Sequence, residues 1–168
     1  MPLEQIGLTQ RRQEHRRQNG DNGDDYQQFD EGEPGTLKAV GRSNGNDICE
    51  FVLKTAGSPG RIELLPDTTQ LRADGKDVSQ IEFRIVDENG VRVPNADAQV
   101  KFDLTGLAKI IGLGNGDLSN SENCQGDTHR TFQGRGLAIL QSTGIAGSIR
   151  LQASAPGLQP ATVTLKSQ

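Results

Sequence analysis

Within Val78 to Val86, Ile81, Phe83 and Ile85 alternate with Gln80, Glu82 and Arg84. A period of two places those three apolar side chains on one face of an extended strand. The same pattern recurs downstream. Val100, Phe102 and Leu104 alternate with Lys101 and Asp103, and Ile149, Leu151 and Ala153 alternate with Arg150 and Gln152. Arg61–Leu65, Lys109–Leu113, Leu137–Gln141 and Ala161–Leu165 read as further strands, and Glu88-Asn89-Gly90 reads as a turn. About seven strands over roughly 105 residues is the size of one immunoglobulin-like sandwich. No helical period of useful length appears in this stretch. The expected fold is therefore all-β, an immunoglobulin-like β-sandwich over 58–168.

Upstream the pattern is different. Residues 1–34 are expected to be a largely disordered tail. The run Gln10–Gln18 is polar throughout, with no apolar stripe to bury, and Asn19–Asp25 is turn chemistry. Residues 35–57 read as a β-hairpin, with strands Thr36–Val40 and Ile48–Thr55 joined across Asn44-Gly45, a type I′ signal. A lone two-stranded ribbon is marginal in water, so this hairpin must pack on something else. It is expected to be the remnant of a preceding sandwich domain. Gly57-Ser58-Pro59-Gly60 forms the break before the main domain.

Hydrophobic residues make up 32% of the chain and the formal net charge is −4. The apolar deficit falls mostly on the first thirty-odd positions, leaving enough Ile, Val, Leu and Phe for one core. A near-balanced charge argues against a nucleic-acid binder, which needs concentrated Lys and Arg. No apolar run approaches the length of a membrane helix, and the N-terminus has no signal-peptide apolar core. Cys49 and Cys124 are the only cysteines. They imply no disulfide framework, and the redox compartment stays open.

Candidate sites are sparse. The adjacent acids Asp24-Asp25, Asp30-Glu31 and Asp87-Glu88 lie in turns or polar tail and read as solvated carboxylates. Asn115, Asp117, Ser119, Asn120, Ser121 and Glu122 crowd one loop. Such a loop is most simply structural, though oxygen-rich loops also contact sugars or calcium. The spacing fits no EF-hand. Within it Asn115, Asp117, Asn120 and Glu122 are the candidate ligand contacts. Aromatic residues are 4% of the chain, too few for a strong sugar-stacking platform. Phe132 is the plausible exposed ring, yet its place before a strand points to the core. His129 reads as solvent-exposed, because nothing nearby completes a triad or a zinc site. No catalytic residue, cofactor or metal ligand is expected.

A set of ordered phrases adds a resemblance. Glu33-Pro34-Gly35-Thr36-Leu37-Lys38-Ala39-Val40, Lys54-Thr55-Ala56-Gly57, Gly60-Arg61-Ile62-Glu63-Leu64, Val86-Asp87-Glu88-Asn89-Gly90, Gly112 to Asp117, and Phe132-Gln133-Gly134-Arg135-Gly136-Leu137-Ala138 follow one another. Each phrase is weak alone, but their order and spacing are more specific. Together they resemble the C-terminal immunoglobulin-like sandwich module of glycoside hydrolase family 2, the β-galactosidase group, over nearly everything after Gly32. The resemblance implies a non-catalytic accessory domain in a bacterial enzyme that hydrolyses β-glycosidic bonds. Neighbouring domains of that enzyme would be its partners, and an oligosaccharide contact stays open. A periplasmic or secreted location is expected over a cytoplasmic one. The family's two catalytic glutamates map to no residue here. The alternative reading is an immunoglobulin-like bacterial adhesion or carbohydrate-binding surface module.

Overall fold

The computed structural model describes residues 35–43 and 46–168. The tail expected over 1–34 and the Asn44-Gly45 turn lie outside the described residues, as do Asp24-Asp25 and Asp30-Glu31. Among the described residues the fold is all-β. A hairpin of β1 (Thr36–Ser43) and β2 (Asn46–Lys54) precedes nine further strands. These are β3 (Arg61–Pro66), β4 (Gln70–Leu71), β5 (Val78–Val86), β6 (Gln99–Gly106), β7 (Ala108–Gly114), β8 (Thr128–Arg130), β9 (Arg135–Ser142), β10 (Gly147–Ser154) and β11 (Ala161–Ser167).

The nine strands form two sheets, in the orders β4-β11-β10-β6-β8 and β3-β5-β9-β7. Pairing is antiparallel except for the short parallel contact of β4 with β11. The count exceeds the seven expected because β4 and β8 are two and three residues long. Strands that short carry no readable period.

Strand β5 is the centre of its sheet. Its inward residues Ser79, Ile81, Phe83 and Ile85 are fully buried, while Val78 and Gln80 stay exposed. Across the sandwich, Val100 and Phe102 of β6 and Ile149 and Leu151 of β10 close the core. The Phe83 and Phe102 rings meet edge to face, with centroids 5.0 Å apart at 69°. Such a pair contributes about 0.5–1.5 kcal/mol beyond its area burial, and here it ties one sheet to the other.

Two corners set the topology. β6 leaves one sheet at Gly106 and β7 enters the other at Ala108, so Leu107 alone spans the layers. Gly106 has φ of +101°, and any Cβ there would collide with the Ser148 carbonyl. β8 reaches β9 through Phe132-Gln133-Gly134-Arg135. Phe132 and Arg135 exchange both backbone hydrogen bonds, and Gln133 and Gly134 have φ of 52° and 70°. Two successive positive φ values are those of a type I′ turn, which here joins strands of different sheets.

Candidate functional site

The first polar centre is Asp87, at the end of β5. The sequence presents it as a solvated turn acid, but its relative exposure is 2%. Its Oδ1 accepts the backbone N–H groups of Asn89 at 2.9 Å and Val91 at 2.8 Å. Its Oδ2 accepts the N–H of Gly57 at 2.8 Å, thirty residues upstream. These bonds, that of Gly57 first, hold its carboxyl below the usual carboxylate range, and the nearby Arg61 adds to the effect. The Arg61 guanidinium donates to the Asp87 and Glu88 carbonyls at 3.0 and 3.2 Å. Gly60 N–H adds a bond to the Val86 carbonyl at 2.9 Å. The segment leading from the hairpin into the sandwich is thus strapped to the β5 exit turn.

The second centre is the long loop between β7 and β8, where the structure pairs the four candidate contacts two by two. Asn115 Oδ1 accepts the Asp117 N–H at 3.0 Å, and Asp117 in turn accepts Ser119 through N–H and Oγ. Asn120 Oδ1 accepts the Glu122 N–H at 2.8 Å, and Asn120 Nδ2 donates to Glu122 Oε2 at 3.2 Å. Both halves reach Arg130 of β8. Asn115 Nδ2 donates to its carbonyl at 3.0 Å, and its N–H donates to Glu122 Oε2 at 2.9 Å. The loop is a lattice of side chains that turn back onto its own backbone. At its tip Leu118 stands fully exposed.

His129 corrects a second expectation. It is buried, at 2% exposure, because β8 alternates with Thr128 and Arg130 outward. Glu122 Oε2 lies 3.4 Å from His129 Nδ1. The Arg130 N–H first, then the Asn120 amide, Gln99 and His129, lower the Glu122 pKa. The alternation of β8 was the available signal, and at three residues it is too short to read. Phe132 departs from its expected place in the core and is exposed, and Phe51 of the hairpin is a second exposed ring, at 64%.

On the outer face of the β3-β5-β9-β7 sheet, Arg84 and Glu82 form a two-pronged ion pair at 2.8 and 2.7 Å. Arg84 chiefly, with Arg135 and Arg92 beyond it, lowers the Glu82 pKa. Beside this pair is an open hollow of about 370 Å³, lined by Glu82, Arg135, Leu137, Asn115 and the side-chain-free Gly114 and Gly116. Both cysteines are free and exposed. Among the described residues no group of three His, Cys, Asp or Glu side chains is placed to hold a metal ion. Glu82 is engaged by the Arg84 guanidinium and Asp87 by backbone N–H groups.

Residues 62–164 match the family described as glycoside hydrolase family 2 C-terminal domain 5. The chain belongs to this family. The matched region, residues 62–164, is thus a C-terminal domain of family 2 glycoside hydrolases. The chain is 35% identical over 136 residues to the β-galactosidase BoGH2A of Bacteroides ovatus, which covers 81% of this chain and 16% of that enzyme. A β-glucuronidase of Formosa agariphila is 31% identical over 141 residues, or 80% of this chain and 14% of the enzyme. Among solved structures, a family 2 member from Bacteroides cellulosilyticus superposes with a TM-score of 0.76 at 32% identity, over 80% of this chain and 17% of that one. A β-glycosidase from Bacteroides vulgatus gives 0.77 at 25% identity, over 80% and 17%. The chain therefore spans about a sixth of the length of the relatives it matches. Because the sandwich begins at Arg61, an alignment of 136 residues is longer than the sandwich can supply, so the likeness extends into the β1–β2 hairpin.

Proposed function

We propose that this family 2 module is a packing and positioning domain of a retaining enzyme that hydrolyses terminal β-linked sugars. The reading is carried by one observation: the chain aligns with about a sixth of enzymes named β-galactosidase and β-glucuronidase. The module's contribution is shape. Asp87 fixes the entry segment, and the laced loop between β7 and β8 presents Leu118 to a neighbouring domain. Two assays test this. The purified chain should release no nitrophenol from aryl β-galactosides or β-glucuronides, whereas the longer polypeptide encoded around it should turn over one of them. Turnover by the chain alone would refute the accessory role. Export out of the cytoplasm belongs to the same proposal, and fractionation of the host cell checks it.

The hollow beside Asn115 favours a second reading, contact with an oligosaccharide. Its lining combines Leu137 with the polar groups of Glu82, Asn115 and Arg135. Retention of the chain on a glycan panel, lost in the Asn115→Ala, Asp117→Ala double variant, would support it. Passage without delay on every glycan would remove it.

A further inference from the structure

Neither backbone nor packing accounts for Gly114, which lines the hollow beside Asn115. It lies on the edge strand β7 opposite Leu137, and directly opposed residues share a face of the sheet. Its φ is outside the left-handed region, and a Cβ there would meet no atom within 4 Å. Glycine inside a strand carries a conformational cost, and one that no neighbour requires keeps room for a body from outside. The charges around the hollow are uneven as well. Arg84 and Arg135 oppose each other across β5 and β9, where like charges repel. Glu82, the acid of the lining, is held by both prongs of Arg84, and Arg135 and Arg92 feel it only at longer range. Glu63 lies opposite Arg84 on β3, across β5 from Arg135. The Arg92 guanidinium donates to the Gln133 carbonyl. Among the described residues the Arg135 side chain makes no salt bridge or hydrogen bond. Phe132 is paired with Arg135 across the turn between β8 and β9, so its exposed ring leaves the turn on the same face as that guanidinium.

We propose that this hollow takes a uronic acid unit of an oligosaccharide, with its carboxylate on the Arg135 guanidinium. The proposal rests on the second reading above, contact with an oligosaccharide, and adds the class of sugar. An arginine fork matches a carboxylate through two parallel N–H···O bonds, and this fork has no such partner inside the domain. The sugar hydroxyls find partners too. Asn115 Nδ2 spends one N–H on the Arg130 carbonyl and keeps a second. Each Glu82 carboxylate oxygen accepts one bond from Arg84 and retains a lone pair. Leu137 gives the lining an apolar element, and Phe132 offers an aromatic face on the Arg135 side. The volume of about 370 Å³ lies at the small end of ligand sites, which run from about 300 to 1,000 Å³. A neutral sugar would leave the guanidinium unmatched. A concave site with hydroxyl partners around the arginine favours a saccharide over an acidic protein segment, whose carboxylate needs the arginine alone.

Calorimetric titration of this chain tests the proposal. The probes are disaccharides of glucuronate and galacturonate, each beside the neutral counterpart that carries CH₂OH in place of the carboxylate. One of the uronates should bind about five- to tenfold tighter than its neutral counterpart, and the advantage should shrink at high salt. Arg135→Gln should erase the advantage and leave the affinity for the neutral sugar unchanged. Gly114→Val should weaken both sugars by filling the hollow. Neither variant should melt below the parent, because Arg135 is exposed and the space over Gly114 is open. Equal affinity for charged and neutral sugars, or a preference that survives Arg135→Gln, would overturn the proposal and leave the oligosaccharide reading standing. Binding of no sugar would overturn both. An acidic peptide that binds as tightly as the uronate would make the occupant a protein segment, and that result overturns the proposal as well.

Discussion

Asp87 and Gln133 show how single residues hold this domain, and each makes a prediction. The folded-state pKa of Asp87 is lowered, so its contribution to stability is present above the carboxylate's unfolded pKa and disappears as pH falls through the folded one. Asp74, Glu82, Asp117 and Glu122 are lowered too, mostly by backbone or side-chain hydrogen bonds. Thermal melts from neutral pH down to the acid range should therefore show Tm falling on the acid side. Asp87→Asn should lower Tm by several degrees at neutral pH and flatten the acid slope, because an amide N–H₂ must then face a backbone N–H. An unchanged melt and slope in the variant would contradict the clamp. Gln133 sits at φ 52° with no glycine's freedom, a conformation that costs a residue with a Cβ about 1–2 kcal/mol. Gln133→Gly should therefore stabilise the domain by about 0.5–1 kcal/mol in urea titrations, and a loss would mean the side chain has a role of its own. Neither residue advertises itself in sequence. Asp87 looks like any turn acid because its deciding partner, Gly57, is thirty residues away. His129 looks solvated because its burial depends on pairing with Val100 of β6.

At the scale of elements, legibility follows length and chemical purity. β5, β6, β10 and β11 are readable because each runs seven to nine residues with clean alternation. β4 and β8 are not, since two or three residues define no period. β9 begins two residues before the apolar run that announces it, because Arg135 and Gly136 already pair with Arg84 and Phe83. Gly136 is there for close approach rather than for a turn: a Cβ would overlap the Phe83 ring. Gly136→Ala should displace that ring from its contact with Phe102 and cost about 1–3 kcal/mol. Near-ultraviolet spectra and denaturant midpoints of the variant check this, and a midpoint equal to the parent's would show the Phe83–Phe102 contact to be slack. The candidate loop was legible as a cluster of oxygens. Its internal wiring was not, because Asx-type bonds depend on backbone turns that composition does not specify.

The described residues combine a hairpin and a sandwich that differ in burial. The hairpin is paired along its length, with eight registered partner pairs and one register shift between Gly41 and Arg42. What it lacks is burial: its apolar residues stay in water, whereas Ile81, Phe83, Leu140 and Ile149 have no exposed surface at all. Burial of one such side chain contributes about 1.5–3 kcal/mol, and a two-stranded ribbon without it is marginal. Amide exchange of the isolated chain should therefore divide at Gly57. Amides of β5, β9 and β10 should exchange only through global opening, and those of β1 and β2 should exchange many orders faster although both are paired in strands. Slow exchange throughout the isolated chain would mean that the hairpin is stable without its apolar face covered, and that local pairing rather than burial holds it.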